Sequence, residues 1–270
     1  MEVIPVVDNS RQEIFLEEAR LKLRRGKEHL HILEMEARKF WDADPYSLVH
    51  ERDGQEFPNL LRFKLTKPIP QHSWGLILGD AVHNIRSALD YIVWRLAGSD
   101  LTDRTSQFPI CVTEHEWNSG YWKFLKRPIH ADAIAYIKTL QPYTRPDPKR
   151  AKLRILQELD ARDKHKLITM TQSITRASYI GGSGQILIPY DAVEKPLHDG
   201  AVIIEYADPP EAAMNMEFQF SFRIIHERGL ISDTEDFEVL PGLHKIAVAV
   251  EIIIDNFERM ITVDPTWIPS

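Results

Sequence analysis

Apolar residues recur along this chain with two periods, 3.6 and 2, and each change of period marks a new element. The helical period comes first. Ser10 and Glu13 have the spacing of a capping box, with Ile14 and Phe15 directly after. A long helix is predicted from there to about Phe40, roughly 45 Å at the helical rise, and Asp44-Pro45 ends it. Residues 47–66, SLVHERDGQEFPNLLRFKLT, then change to period two. Leu61, Phe63 and Leu65 alternate with Arg62, Lys64 and Thr66, and Asp53-Gly54 supplies turn chemistry, so this is a predicted β-hairpin. A second helix is predicted over 73–97, with Gly98 as its C-cap.

The middle of the chain is mixed. QFPICV (107–112) is short and apolar, EHEWNSGYWKFL reads as a broken helix, and ADAIAYIKTLQ (131–141) as a better one. QPYTRPDPKR (141–150) holds three prolines and is a predicted loop. A helix follows from 151, carrying Leu153, Ile155, Leu156 and Leu159 as its apolar stripe. After 166 the texture turns to strands: KLITMTQSI, QILIPYDAV, GAVIIEYA and MEFQFSFRIIHE, the last with Phe218, Phe220, Phe222 and Ile224 in strict alternation. Asp208-Pro209-Pro210 punctuates that region. LPGLHKIAVAVEIIIDNFERMI (240–261) is apolar nearly all round, the pattern of a buried helix. No βαβ alternation is present, so the fold class is α+β. The expected arrangement is a helical bundle packed with a mostly antiparallel sheet that joins the 47–66 hairpin to the later strands. One domain is expected over 1–270: a mainly helical part (10–166), a β-rich part (167–239) and a closing C-terminal helix (240–262).

Composition narrows the function classes. A formal net charge of −7 argues against a protein that coats nucleic acid generally. The basic run Arg20, Lys22, Arg24, Arg25 and Lys27 on the first helix reads as a solvated face rather than a binding patch. Cys111, the single cysteine, excludes an internal disulfide and fits a reducing cytoplasm, where it reads as a core residue rather than a nucleophile. The start lacks signal-peptide features, and IAVAVEIII is too short to span a bilayer, so no membrane partner is expected. The closing helix would serve a homodimer interface as well as a core. Gly181, Gly182 and Gly184 lack the lysine and the helix that a phosphate loop needs.

One helix face carries the candidate chemistry. With residues about 100° apart around the 73–97 helix, Leu78, Ala81, Val82, Ile85, Leu89, Ile92 and Leu96 share one arc. Within 79–97 the opposite arc holds Asp80, His83, Asn84, Arg86, Ser87, Asp90, Tyr91 and Trp94, with no lysine and no glutamate. Solvated faces favour long flexible charges, so this face is expected to meet protein or a pocket. Arg86 and Asp90, four apart, have pairing distance. A second polar cluster, Asp160 to Lys166, closes the 151–163 helix, where Lys164, His165 and Lys166 suit the negative end of the dipole. Asp160 and Asp163 do not suit it unless paired, and His83 or Arg86 are the expected partners if the two clusters face each other.

Three readings of that face compete. The first is a buried interhelical network of His83, Arg86, Asp90 and Asp163. The second is an acid/base or nucleic-acid site. The third is a metal site from Asp80-x-x-His83 with Asp163 or His165, although the chain lacks the repeated glutamate motif of di-iron bundles. A Ser-His-Asp triad through Ser87 has no nucleophile-elbow context. No cofactor is expected.

GDAVHNIRSALDYIVWRLA, then QFPI, LQPY and LQELDARDKHKLI, in this order and spacing, resembles a widespread family of uncharacterised bacterial proteins over roughly residues 15 to 170. A second resemblance is to the HEPN superfamily of helical-bundle proteins, many of them metal-independent ribonucleases. Their motif is an arginine and a polar residue followed on the same helix by a histidine. Arg86-Ser87-Ala88-Leu89-Asp90-Tyr91 is similar to it, with Tyr91 where the histidine stands. The resemblance implies an RNA-directed protein and a ribonuclease. Attack by a ribose 2′-hydroxyl needs a proton acceptor, which tyrosine, with a pKa near 10, supplies poorly. His83, two turns back, is the expected substitute. In that reading Arg86 holds a phosphate, Asp90 orients a partner, Tyr91 completes the motif, and Asn84, Asp163 and His165 line the binding site. A non-catalytic binding or scaffolding protein is the alternative, and a metal-dependent helical-bundle enzyme the third.

Overall fold

The computed structural model describes residues 9–52, 59–98, 107–119, 129–164, 170–179, 186–187, 199–206, 216–224 and 238–267. The hairpin turn at Asp53-Gly54, the glycines Gly181, Gly182 and Gly184, the Asp208-Pro209-Pro210 punctuation and His165 lie outside them.

Helix α1 (Asn9–Trp41) has Ser10 and Glu13 within its span. Its buried seam is Leu16, Ala19, Leu23, Gly26, Leu30, Leu33 and Ala37, a strict alternation of steps of three and four. That spacing keeps one narrow stripe against a neighbouring helix. The neighbour is α2 (Gln71–Leu96). Gly26 sits where the two come closest. A Cβ added there would lie 2.6 Å from Ile85 Cγ1 and 3.1 Å from the Ala81 carbonyl oxygen. Replacing Gly26 with leucine is expected to force the helices apart and lower stability by about 2 kcal/mol. Urea melts of the variant and wild type check it. After α1 the backbone turns at Asp44, whose φ of 45° is left-handed, and enters Pro45.

The hairpin forms as β1 (Tyr46–Glu51) and β2 (Asn59–Leu65), antiparallel, with Tyr46 opposite Leu65 and Glu51 opposite Leu60. Leu61 and Phe63 are buried, as the alternation requires, and Leu60 joins them. β2 also pairs with β5 (Val202–Tyr206), and β5 with β4 (Ile186–Leu187), giving the order β1-β2-β5-β4. So the hairpin does join later strands. Among the described residues, β3 (Met170–Tyr179) and β6 (Met216–Ile224) do not enter that sheet but form an antiparallel ribbon of their own.

Between the helices of the bundle run α3 (Glu114–Ser119), α4 (Ala131–Thr139) and a 3-10 turn at Pro142–Thr144. α5 (Lys152–Asp163) and α6 (Val239–Val263) complete the bundle. α2 is its centre and packs on α1, α5 and α6. All seven residues of its expected core arc are buried. The architecture is α+β, with a helical bundle, antiparallel strands and a closing helix. Among the described residues, no helix is long and apolar enough to cross a membrane.

Two expectations change. α6 is not buried all round. Leu243, Ile246, Val250, Ile254 and Phe257 are interior, whereas Val248 and Ile252 are about half exposed. The apolar composition of IAVAVEIII hides an ordinary amphipathic helix. The basic run of α1 is not simply solvated either. Arg20 bonds both Asp255 (2.7 Å) and Glu258 of α6, and Lys27 bonds Glu251 (2.8 Å). These half-exposed pairs add little energy each, but they fix the register of α1 on α6.

Candidate functional site

The polar arc of α2 divides into two groups with different surroundings. The first is built on Arg86 and Asp90, which pair as their spacing allows. Their common partner is the backbone of Phe108, in the segment 107–111, which belongs to no helix or strand. Arg86 Nη2 donates to the Phe108 carbonyl oxygen at 2.8 Å, and the Phe108 N–H donates to Asp90 Oδ1 at 2.8 Å. Two side chains thus do for Phe108 what a neighbouring strand would do. Burial pushes the Asp90 carboxyl above the ordinary carboxylate range, while Arg86 and the Phe108 N–H pull it back. Arg86 is only 6% exposed. A guanidinium so enclosed and so engaged is not presented to a phosphate, and the anion-holding role expected of it does not follow from its place.

The far side of the same segment is held by Gln141, fully buried. Its Oε1 accepts from the Cys111 N–H (2.9 Å), and its Nε2 donates to the carbonyls of Pro109 (3.0 Å) and Ile137 (2.9 Å). Sequence reasoning missed this residue, because a glutamine opening a proline-rich loop carries no periodic signal. Cys111 is buried beside it, and burial pushes its thiol up to about 11, which suits the core role expected of it.

The second group is built on His83, whose side chain is 55% exposed. Its Nδ1 lies 3.3 Å from Asp160 Oδ1 of α5, and Asp160 is only 8% exposed at its side chain. Lys164 Nζ donates to the other Asp160 oxygen at 2.6 Å. The Ser87 hydroxyl stands 3.5 Å from His83 Nε2. Asn84 donates from Nδ2 to the Asp80 carbonyl, and its Oδ1 meets Lys22 Nζ of α1 at 3.5 Å. The clusters on α2 and α5 therefore do face each other, with Asp160 and not Asp163 as the partner of His83. Asp160 had a signal, since an acid at a helix C-terminus is unfavourable unless paired.

Asp163 packs elsewhere. A Cβ added to Gly79 would lie 2.1 Å from its Oδ1, so the missing side chain of Gly79 lets the carboxylate lie against α2. Burial, then Asp160 and Asp80, push the Asp163 carboxyl above its ordinary range, while His83 and Lys164 oppose. A carboxyl raised in the fold binds its proton more tightly there than in the unfolded chain. Its charge thus costs stability as pH rises through the unfolded value, and the cost is complete above the folded one. Asp163→Asn should accordingly be more stable than wild type at about pH 7 and lose that advantage by about pH 3, as denaturant melts at both pH values will reveal.

Tyr91 is half-buried, its ring edge-on to Trp94 with centroids 6.0 Å apart. It packs against the core and is not brought to His83 by any contact described. Among the described residues, no three His, Cys, Asp or Glu side chains converge to hold a metal ion. The Asp80-x-x-His83 reading therefore lacks a ligand set there.

Comparison with family models, curated proteins and solved structures finds no match to this chain. The likenesses to a bacterial family and to HEPN proteins thus rest on the quoted motifs alone.

Proposed function

We propose that this is an RNA-directed protein that cleaves RNA without a metal ion, with His83 as its proton-transfer group and without the anion-holding arginine of the HEPN motif, since Arg86 is enclosed by protein. One observation carries the reading: a solvent-facing imidazole is backed by a buried carboxylate, Asp160. A histidine that merely satisfied the core would be buried with its partner. With Nδ1–H donating to Asp160, Nε2 is left as the acceptor, the tautomer a general base needs. His83 would take the proton of a ribose 2′-hydroxyl as that oxygen attacks the adjacent phosphorus. The 5′-oxygen leaves and takes up a proton, and the product end is a 2′,3′-cyclic phosphate. Lys164 of α5 neutralises Asp160 behind the imidazole, and Lys22 of α1 reaches Asn84, the next residue along α2. Arg86 and Asp90, engaged with each other and with the Phe108 backbone, take no part in the chemistry.

The test is cleavage of an RNA oligonucleotide in the presence of a chelator, with product ends read by mass spectrometry. Wild type should yield cyclic phosphate ends. His83→Ala should lose about 100-fold or more in rate, within the range for a general base. Asp160→Asn should lose roughly tenfold, and Tyr91→Phe should keep its rate. Intact RNA after incubation with wild type would sink the ribonuclease reading. The second reading, a non-catalytic binding or scaffolding protein, then takes its place. It is favoured by the enclosure of Arg86, and a mobility shift separates RNA binding from scaffolding.

A further inference from the structure

Away from His83, and sharing no residue with its surroundings, α4, the loop after it, α5 and α6 enclose a cleft of about 670 Å³. That lies in the range of small-molecule sites. Its floor is apolar: Leu140, Leu153, Ala249, Ile252 and Ile253. Ile252, one of the outward apolar side chains of α6, is 52% exposed. The rim is cationic. Arg145, Arg150 and Lys152 line it against a single carboxylate, Asp147.

We propose that this cleft binds an organic phosphate, a small molecule with an apolar body and one phosphate group. The charge argument is specific. Asp147 Oδ2 lies 3.7 Å from Arg150 Nε and offsets that cation. Arg145 keeps a long 3.5 Å bond to the Thr139 carbonyl, and Lys152 is exposed. Two cations are then left to meet an anion, on a chain whose net charge is −7. A local positive rim against the overall field is not a by-product of composition. α5 also begins at this rim. It has Ala151 as N-cap and no side-chain cap, so its positive end adds to the two cations. A phosphate uses all three better than a carboxylate does, because it offers more acceptor oxygens and a second charge. An apolar body is required because a free phosphate would leave the aliphatic floor uncovered. The wall offers little else that is polar, since Asn256 Nδ2 already donates to the Tyr136 hydroxyl at 2.7 Å.

The probe is 1-naphthyl phosphate, titrated into the full chain and followed by its ring fluorescence. 1-Naphthol and inorganic phosphate serve as the two half-ligands. Naphthyl phosphate should bind at least about tenfold more tightly than either half. Lys152→Glu and Arg145→Ala should each weaken it by about tenfold while leaving naphthol unaffected. Ile252→Asp should weaken naphthyl phosphate and naphthol together. Thermal melts confirm that these surface variants are folded. The proposal is overturned if naphthyl phosphate binds no better than naphthol, if both rim variants bind like wild type, or if no binding is seen. None of these outcomes bears on RNA cleavage at His83.

Discussion

Arg86→Leu is expected to cost about 2–4 kcal/mol of stability, because it strands the partly buried Asp90 and the Phe108 carbonyl. Asp90 loses its guanidinium while remaining largely enclosed, and burial already pushes its carboxyl upward. The Phe108 carbonyl loses its donor as well. The energy belongs to the broken arrangement and not to the pair itself. Buried pairs replaced together by apolar residues of similar volume are often neutral in stability. The double variant Arg86→Leu with Asp90→Leu should therefore be less damaged than the sum of the two single variants. A double-mutant cycle from urea melts measures that coupling directly. Additive losses would mean that the two side chains stabilise the fold independently.

Gln141→Leu is the second large effect. The replacement has nearly the same volume, so it removes hydrogen bonds with little change in packing. The Cys111 N–H and the Pro109 carbonyl are left without their partner inside the protein. The Ile137 carbonyl is less affected, since it also accepts from the Leu140 N–H. Two orphaned buried groups at about 1–3 kcal/mol each give a loss of roughly 2–6 kcal/mol. Thr144→Ala makes the comparison, because the Thr144 hydroxyl donates to the Gln141 carbonyl near the surface, and its loss should cost under about 1 kcal/mol.

The elements were legible wherever one periodic stripe met one partner. The core arc of α2 is complete in the pattern, and so is the hairpin. The Arg86–Asp90 pair was legible too, since a step of four on a helix fixes its distance. What lay beyond is the third member of each cluster. Nothing in a spacing of 18 or 22 residues tells Asp90 or Arg86 that Phe108 will lie beneath them. His83 and Asp160 are 77 apart, and only the awkward acid at a helix end hinted at their meeting. The strands of the second half could be picked out by alternation, but alternation does not say which strand neighbours which. The division into a four-stranded sheet and a separate ribbon was therefore not readable. In α6, apolar residues at outward positions masked the seam, and one of those residues forms part of the cleft floor.

Four motifs quoted from the sequence turn out to be one mechanical unit. The segment 107–111 belongs to no strand, yet Arg86 and Asp90 grip it from one helix and Gln141 grips it from the end of another. Helix α2 is at the same time tied through His83 to the end of α5. The segment acts as a keystone: neither α2 nor the end of α4 can shift without unseating it. Folding of this half is thereby made cooperative across stretches far apart in sequence. Amide exchange of 107–111 and of the turns of α2 that hold it is therefore expected to slow together.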